Sequence, residues 1–365
     1  MFRPVYPPKP VPGDRIAVLS PSSGLPGLLP LPYELGLERL RGTFGLEPVE
    51  YPTTRVMGSS ARQRADDLHA AFADPAVKAV VASIGGDDQI TVLPLLDREL
   101  IRANPKPFFG FSDNTNLLAF LWNAGIVGYH GATVMCEFGR PGAMDPLTAE
   151  SVRAALFTSG PYELRPTERF REVDLPWDDP ESFAREPRTE PGAGWTWVRP
   201  DRVVEGRSWG GNLEILSWLL MADREIPRDL SVYDGHVLFL ETSEDMPRAD
   251  DVYWILRGMG ERGLLRRFPA LLMGRPKAWS FDRGFPALLM GRPKAWSFDR
   301  PLAPADRARY VRDQREAVRR AVDRYAPDMM VVFDVDLGHT DPQLVIPYGG
   351  TVRVDGPARR ITVTY

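Results

Sequence analysis

A serine on a sharp turn between a buried strand and a helix can act as a nucleophile, because the turn lifts its hydroxyl clear of the sheet. Residues Lys106–Gly125, KPFFGFSDNTNLLAFLWNAG, have that form. Pro107, Phe108, Phe109 and Phe111 predict a buried strand. Leu117, Leu118, Leu121 and Trp122 predict a helix, with Gly125 where a C-cap would lie. Ser112 sits between them in Gly110-Phe111-Ser112-Asp113-Asn114. The usual elbow reads G-x-S-x-G. Here Asn114 stands in for the last glycine, and asparagine enters the left-handed region more readily than most residues. The backbone N–H of Asp113 would point to the space where an oxyanion could form. Gly86, the second glycine after a predicted strand ending at Ile84, offers another such N–H. Gly86 and Asp113 are therefore the expected oxyanion donors. The competing reading is plainer: Ser112 caps the helix, which is the commoner role on this stretch alone, and Gly85-Gly86 is only a tight turn.

Other chemistry-bearing types are sparse. The four histidines, His69, His130, His236 and His339, show no metal-ligand spacing, and Cys136 is the single cysteine. His69 falls on a polar helix face, His236 opens a strand, and His130 has the setting of a core histidine. His339 follows a buried strand and Gly338, in a loop rich in aspartate. Asp334, Asp336, His339 and Asp341 could be read as metal ligands, but two of them would face opposite sides of a strand end, so no metal is expected. Gly258-x-Gly260-x-x-Gly263 matches a dinucleotide fingerprint. It follows a helical pattern rather than a strand, so these glycines are expected to end a helix. Ser112-Asp113-Asn114 matches one β-lactamase motif, but its partner motifs S-x-x-K and K-T-G are absent.

The positioning elements alternate. Arg15–Ser20 reads as a strand ending in Pro21-Ser22-Ser23-Gly24. Helical spacing follows at Tyr33, Leu37, Leu40 and Phe44, and again at Ala61, Ala65, Leu68 and Phe72 with Ser59 or Ser60 as cap. Val77–Ile84 is a second buried strand, and the Phe108 strand leads to Ser112. This β-α-β order predicts an α/β fold with a parallel sheet and helices on both faces. Ligands bind beyond the carboxyl ends of such strands, and SPSSG, GGDDQ and FSDN converge there. That convergence raises Ser112 above a simple cap.

The expected division is an N-terminal α/β nucleophile domain over 1–160, a Trp-rich linker or long loop over 161–202, and a C-terminal mixed α/β domain over 203–365. Trp177, Trp195 and Trp197 argue that the middle segment is ordered, as a lid or as a stacking surface for a planar ligand group. In the last part, Gly210-Gly211-Asn212 precedes an apolar helix. His236–Thr242 is a buried strand ending at Glu241-Thr242-Ser243-Glu244-Asp245. Met329–Val335 is another, leading to His339, and the chain closes in a hairpin near Asp355-Gly356. Phe268–Arg283, FPALLMGRPKAWSFDR, is repeated without change as Phe285–Arg300. One ALLMG copy is expected to fill a single slot in the sheet while the other loops out at modest closure cost.

Of 365 residues, 43% are hydrophobic and 26% charged, with formal net charge −4. The length suits two cores, and the balance gives no general attraction to nucleic acid. A lone cysteine suits a reducing compartment. Without a signal-like apolar stretch or a membrane-length run, a cytoplasmic protein with no membrane partner is expected.

In order, GDRIAVLSPSSG, SIGGDD, GFSDNTNLL, GGNLEIL, FLETSE and LGHTDPQLVIPYG resemble the serine peptidase family that includes murein LD-carboxypeptidase and the microcin C self-immunity peptidase. The resemblance covers nearly the whole chain outside the duplication and the Trp-rich segment. It implies an active site at the interface of the two domains, with Ser112 as nucleophile, Glu241 as orienting acid and His339 as base. It implies no cofactor, a small peptide or peptidyl-nucleotide as substrate, and a homodimer. The long Trp-bearing segment and the LETSE form resemble the microcin C immunity branch, in which an aromatic of this loop stacks on a nucleobase. Murein tetrapeptide is the alternative substrate. A non-catalytic ligand-binding module is the alternative of another class.

Overall fold

The computed structural model describes residues 4–173, 175–278 and 303–365. The first third of the chain builds a parallel sheet from β1 (Arg15–Leu19), β2 (Glu47–Glu50), β3 (Val77–Ala82), β4 (Phe108–Gly110) and β5 (Gly128–His130). Four helices connect these strands: α1 (Pro30–Gly42), α2 (Ala61–Ala73), α3 (Arg98–Ala103) and α4 (Thr115–Asn123). α2 starts where Ser60 predicts it. The Ser60 hydroxyl accepts from the Gln63 N–H and the Gln63 side chain returns to the Ser60 N–H, a closed capping box. β1, β3 and β4 are almost wholly buried, as strands covered on both faces must be.

After α5 (Pro146–Phe157) the chain enters the Trp-rich segment, which is not simply a loop. It supplies β6 (Pro161–Leu164), a small ladder of β7 (Arg169–Phe170) with β8 (Glu190–Pro191), the one-turn helix α6 (Pro180–Phe183) and β9 (Thr196–Val198). β6 and β9 form the two outer edges of the second sheet. The apolar alternation that would reveal strands this short is too brief to stand out among prolines and charges.

β10 (Val203–Asn212) opens the second sheet proper, followed by α7 (Leu213–Met221), β11 (Val237–Glu241), α8 (Ala249–Glu261) and β12 (Ala270–Gly274). After α9 (Pro304–Tyr325) come β13 (Met330–Val335), β14 (Ile346–Tyr348), β15 (Thr351–Asp355) and β16 (Arg360–Thr364). The spatial order is β6-β16-β15-β10-β11-β12-β13-β9, with β10 to β13 parallel. Every residue of β11, β12 and β13 is buried. The first ALLMG copy fills the slot between β11 and β13; the second lies outside the described residues. Gly258 and Gly260 lie within α8, and Gly263 follows it at φ 80°. None of the described helices is long and apolar enough to cross a membrane.

β14 crosses back. It pairs antiparallel with β5 and so becomes the edge of the first sheet, Ile346 opposite His130. The loop between β13 and β14, which carries His339, therefore spans the two sheets. At the other contact, the Asn212 N–H donates to the Thr115 hydroxyl at the start of α4, 3.1 Å away.

Candidate active site

Ser112 adopts φ 59°, the left-handed region that a non-glycine residue enters only under constraint. Asn114 is right-handed at φ −65°. The strained position of this elbow is thus the serine itself, and the left-handed tolerance of asparagine is not what lets Asn114 replace glycine. Instead its side chain ties the turn down. Nδ2 donates to the carbonyls of Phe111 and Ile84, and Oδ1 accepts from the Gln89 side chain at 2.9 Å. Ser112 is the cap residue of neither the short 3₁₀ turn it opens nor α4, since Phe111 and Asn114 hold those positions.

The turn after β3 locks onto this elbow. The Gln89 N–H donates to Asp113 Oδ2 at 2.9 Å, and Gln89 Oε1 accepts from the Leu117 N–H at 3.0 Å. Asn116 donates to Asp113 Oδ1 at 2.7 Å. Burial pushes the Asp113 carboxyl up to about 6. Gly85 faces the serine closely: a Cβ there would fall 3.0 Å from Ser112 Cβ and 3.2 Å from its hydroxyl. Gly86 is backed by Ser22 and Ser23. Arg64 braces the same loops through the carbonyls of Pro21 and Ser22 and an ion pair with Asp88.

The second sheet brings a buried carboxylate and an imidazole together. Glu241 ends β11 with its side chain 1% exposed, and the His339 imidazole is 10% exposed. His339 Nδ1 donates to Glu241 Oε2 at 2.6 Å. Two glycines make room for this pair. A Cβ on Gly274, at the end of β12, would fall 2.9 Å from Glu241 Cβ. One on Gly338 (φ 88°) would fall 2.7 Å from Glu241 Cβ and Oε2. The His339 ring packs edge-on against Phe111, the residue before Ser112, with ring centroids 5.0 Å apart. Glu244, on the turn after β11, reaches His339 Nε2 at 3.0 Å. Burial alone would lower the His339 pKa, but the charges and hydrogen bonds of Glu241 and Glu244 outweigh it and hold the imidazole well above its ordinary value. Burial likewise opposes ionisation of Glu241, and the charge and hydrogen bond of His339 overcome it, keeping that carboxylate below the usual range.

His130 is wholly buried, 3.9 Å from Glu241 Oε1, and burial pushes it down to about 4, so it is a neutral wall of the site. The aspartates near His339 are committed to arginines: Asp334 to Arg315, Asp336 to Arg275 and Asp341 to Arg171. Among the described residues no group of three or more His, Cys, Asp or Glu could hold a metal ion.

The three tryptophans do not share one surface. Trp195 donates its indole N–H to Asp336 at 2.9 Å and so pins the Trp-rich segment to the strand before His339. Trp197 lies in β9 opposite Val332, with the Arg359 guanidinium 5.7 Å from its ring. Trp177, half-buried, lies just ahead of α6.

Sequence reasoning gave no site role to Gln89, Glu214 and Glu244, while His130, read as a core histidine, is buried. Gln89 directly follows GGDD, Glu214 sits inside GGNLEIL, and Glu244 is three residues past Glu241; each had a sequence position worth asking about. Glu214 accepts from the N–H and hydroxyl of Ser243 at 3.0 and 2.7 Å, which shapes the turn that presents Glu244. Asn212, the ladder partner of Glu241, caps α7 by accepting from the Ile215 N–H at 3.0 Å.

Comparison with known proteins agrees with this fold. The LD-carboxypeptidase N-terminal domain matches residues 16–131 and the LD-carboxypeptidase C-terminal domain matches residues 205–354. The chain belongs to the LD-carboxypeptidase family. It is 25% identical to the microcin C7 self-immunity protein MccF of Escherichia coli, over 83% of this chain and 78% of the relative. It is 30% identical to a probable murein peptide carboxypeptidase of Bacillus subtilis, over 64% of each. Its fold matches the structure of MccF in complex with glutamyl sulfamoyl guanosine, with a TM-score of 0.80, 22% identity and 99% of both chains covered. It also matches an MccF-like protein from Streptococcus pneumoniae in complex with AMP, with a TM-score of 0.80, 23% identity, 96% of this chain and 99% of the other.

Proposed function

We propose that this member of the LD-carboxypeptidase family is a serine hydrolase that cleaves an amide-type bond of aminoacyl- or peptidyl-nucleotides through an acyl-enzyme on Ser112. The observation that carries this reading is a strained serine next to Phe111, whose ring packs on a histidine anchored to a buried glutamate from the other sheet. His339 takes the Ser112 proton as the hydroxyl oxygen attacks the carbonyl carbon. Glu241 holds the ring by Nδ1, so proton transfer falls to Nε2. The N–H groups of Gly86 and Asp113 hold the oxyanion. His339 then protonates the leaving amine, and water, giving its proton to His339, hydrolyses the ester and restores Ser112.

The nucleotide part of the reading is supported by the MccF structures with glutamyl sulfamoyl guanosine, aspartyl sulfamoyl adenosine and AMP. Trp177 is the base-stacking candidate, since the Trp195 indole is tied to Asp336 and Trp197 lies in β9. A cytoplasmic location and a homodimer go with the same reading. The test is hydrolysis of aspartyl sulfamoyl adenosine against hydrolysis of a murein tetrapeptide by the purified chain. Faster turnover of the nucleotide supports the proposal. Cleavage of the tetrapeptide alone assigns the murein reaction instead, and cleavage of neither leaves a binding module.

A further inference from the structure

The contact between Glu244 and His339 stands in the way of the hydrolysis described above. Nδ1 of His339 is committed to Glu241 at 2.6 Å, so Nε2 must accept the serine proton. Nε2 instead lies 3.0 Å from a Glu244 carboxylate oxygen. An imidazole that donates from both nitrogens is a cation and has no lone pair with which to act as a base. The two carboxylates that clamp it differ in kind. Glu241 is 1% exposed and walled in by Gly274 and Gly338, whereas the Glu244 side chain is 47% exposed. The turn beneath Glu244 is held by Glu214 through Ser243, and Met246 turns at φ 53°. The base of the turn is fixed and its carboxylate tip reaches solvent.

A carboxylate that leaves an imidazolium does so most readily when another cation takes its place, because one ion pair is then exchanged for another. An aminoacyl substrate carries such a cation, its free α-ammonium, beside the acyl carbon that Ser112 attacks. We propose that Glu244 is a specificity-determining latch, which holds His339 until the ammonium of an aminoacyl substrate takes its carboxylate and frees Nε2 to face Ser112. The proton on Nε2 then passes to solvent, and the neutral imidazole accepts the serine proton. This rests on the acyl-transfer reading above. The other titratable and charged groups facing the pair are Glu241 and His130 around the ring and Lys277 beside Glu244.

The test uses the full chain and Glu244→Gln, each with aspartyl sulfamoyl adenosine and with its N-acetylated form. The wild type should favour the free amine in kcat/KM by about tenfold or more, as expected of a charged hydrogen bond. Glu244→Gln should lose most of that preference. The His339 resonances, assigned with His339→Gln, should titrate at lower pH in Glu244→Gln by at least about one unit. An unchanged preference in the variant overturns the specificity role, and an unchanged His339 titration overturns the latch. A wild type that cleaves both substrates without preference also overturns the latch and leaves the acyl-transfer reading standing. A wild type that cleaves neither overturns the nucleotide reading and this one with it.

Discussion

The Ser112 side and the His339 side of the candidate site are built by different means. Around Ser112 the structure relies on backbone geometry and uncharged amides. Gln89, Asn114 and Asn116 close a hydrogen-bonded ring about Asp113, and Gly85 lets the turn after β3 press against the serine. Around His339 it relies on charge, with two carboxylates on one imidazole and a buried neutral His130 behind them. An amide network has one satisfied arrangement and resists change, because every broken bond leaves a buried polar group unpaired. An ion pair at a partly exposed tip can exchange partners at little cost. Ser112 is held still, and the ion pairs of His339 are where partners can exchange.

That contrast can be broken most severely at the nucleophile. Ser112→Ala and His339→Ala should each reduce turnover by about 10⁴-fold or more, and the double variant should be little worse than either single one. Near-normal steady-state hydrolysis by folded Ser112→Ala would end the acyl-enzyme reading. Gly85→Ala tests the rigid side without removing a functional group. Its new methyl would meet Ser112 Cβ at 3.0 Å, and moving the serine should cost about a hundredfold in kcat with the fold retained. Unchanged kcat would mean that the elbow yields more than its hydrogen bonds suggest.

Smaller effects sharpen the comparison at its margins. Trp177→Ala should raise KM for a nucleotide substrate by about 1–3 kcal/mol of lost stacking and leave a substrate without a base nearly unaffected. Equal losses on both would make Trp177 a structural lid. The least effect on turnover is expected at Glu137, which lies on the first-sheet side and faces Asp341 of the His339 loop. Burial, aided by the charge of Asp341, pushes its carboxyl from 4.5 up to about 8. Its folded pKa is raised, so the native state binds this proton more tightly than the unfolded chain does. Stability is then lost as pH rises from about 4.5 through 8 and is not regained above. Glu137→Gln keeps an oxygen for the Thr133 donors and carries no charge. Thermal denaturation should find it close to wild type at pH 4 and increasingly more stable toward pH 9; parallel curves would show that Glu137 ionises without cost.

Much of this was legible in the sequence, because the signals are short-ranged. The buried strands at Arg15, Val77, Phe108, His236 and Met329 show as apolar runs, and α2 announces itself through Ser60 and Gln63. The Asp355-Gly356 hairpin and the Gly85-Gly86 pair after β3 need only a few neighbours to be recognised. By themselves these residues determined two α/β layers with reactive side chains at strand ends. Only the tertiary structure decided how those ends meet. It brought Glu241 and His339 into contact across 98 positions and sent β14 back to the first sheet. It drew β6 and β9 out of the Trp-rich segment and placed the first ALLMG copy between β11 and β13. It also moved the strain from Asn114 to Ser112 and put Glu244 on Nε2. The reason is physical: turn and strand preferences act over a few residues, whereas a shared proton or a ladder partner depends on the packing of segments the local chain does not contain.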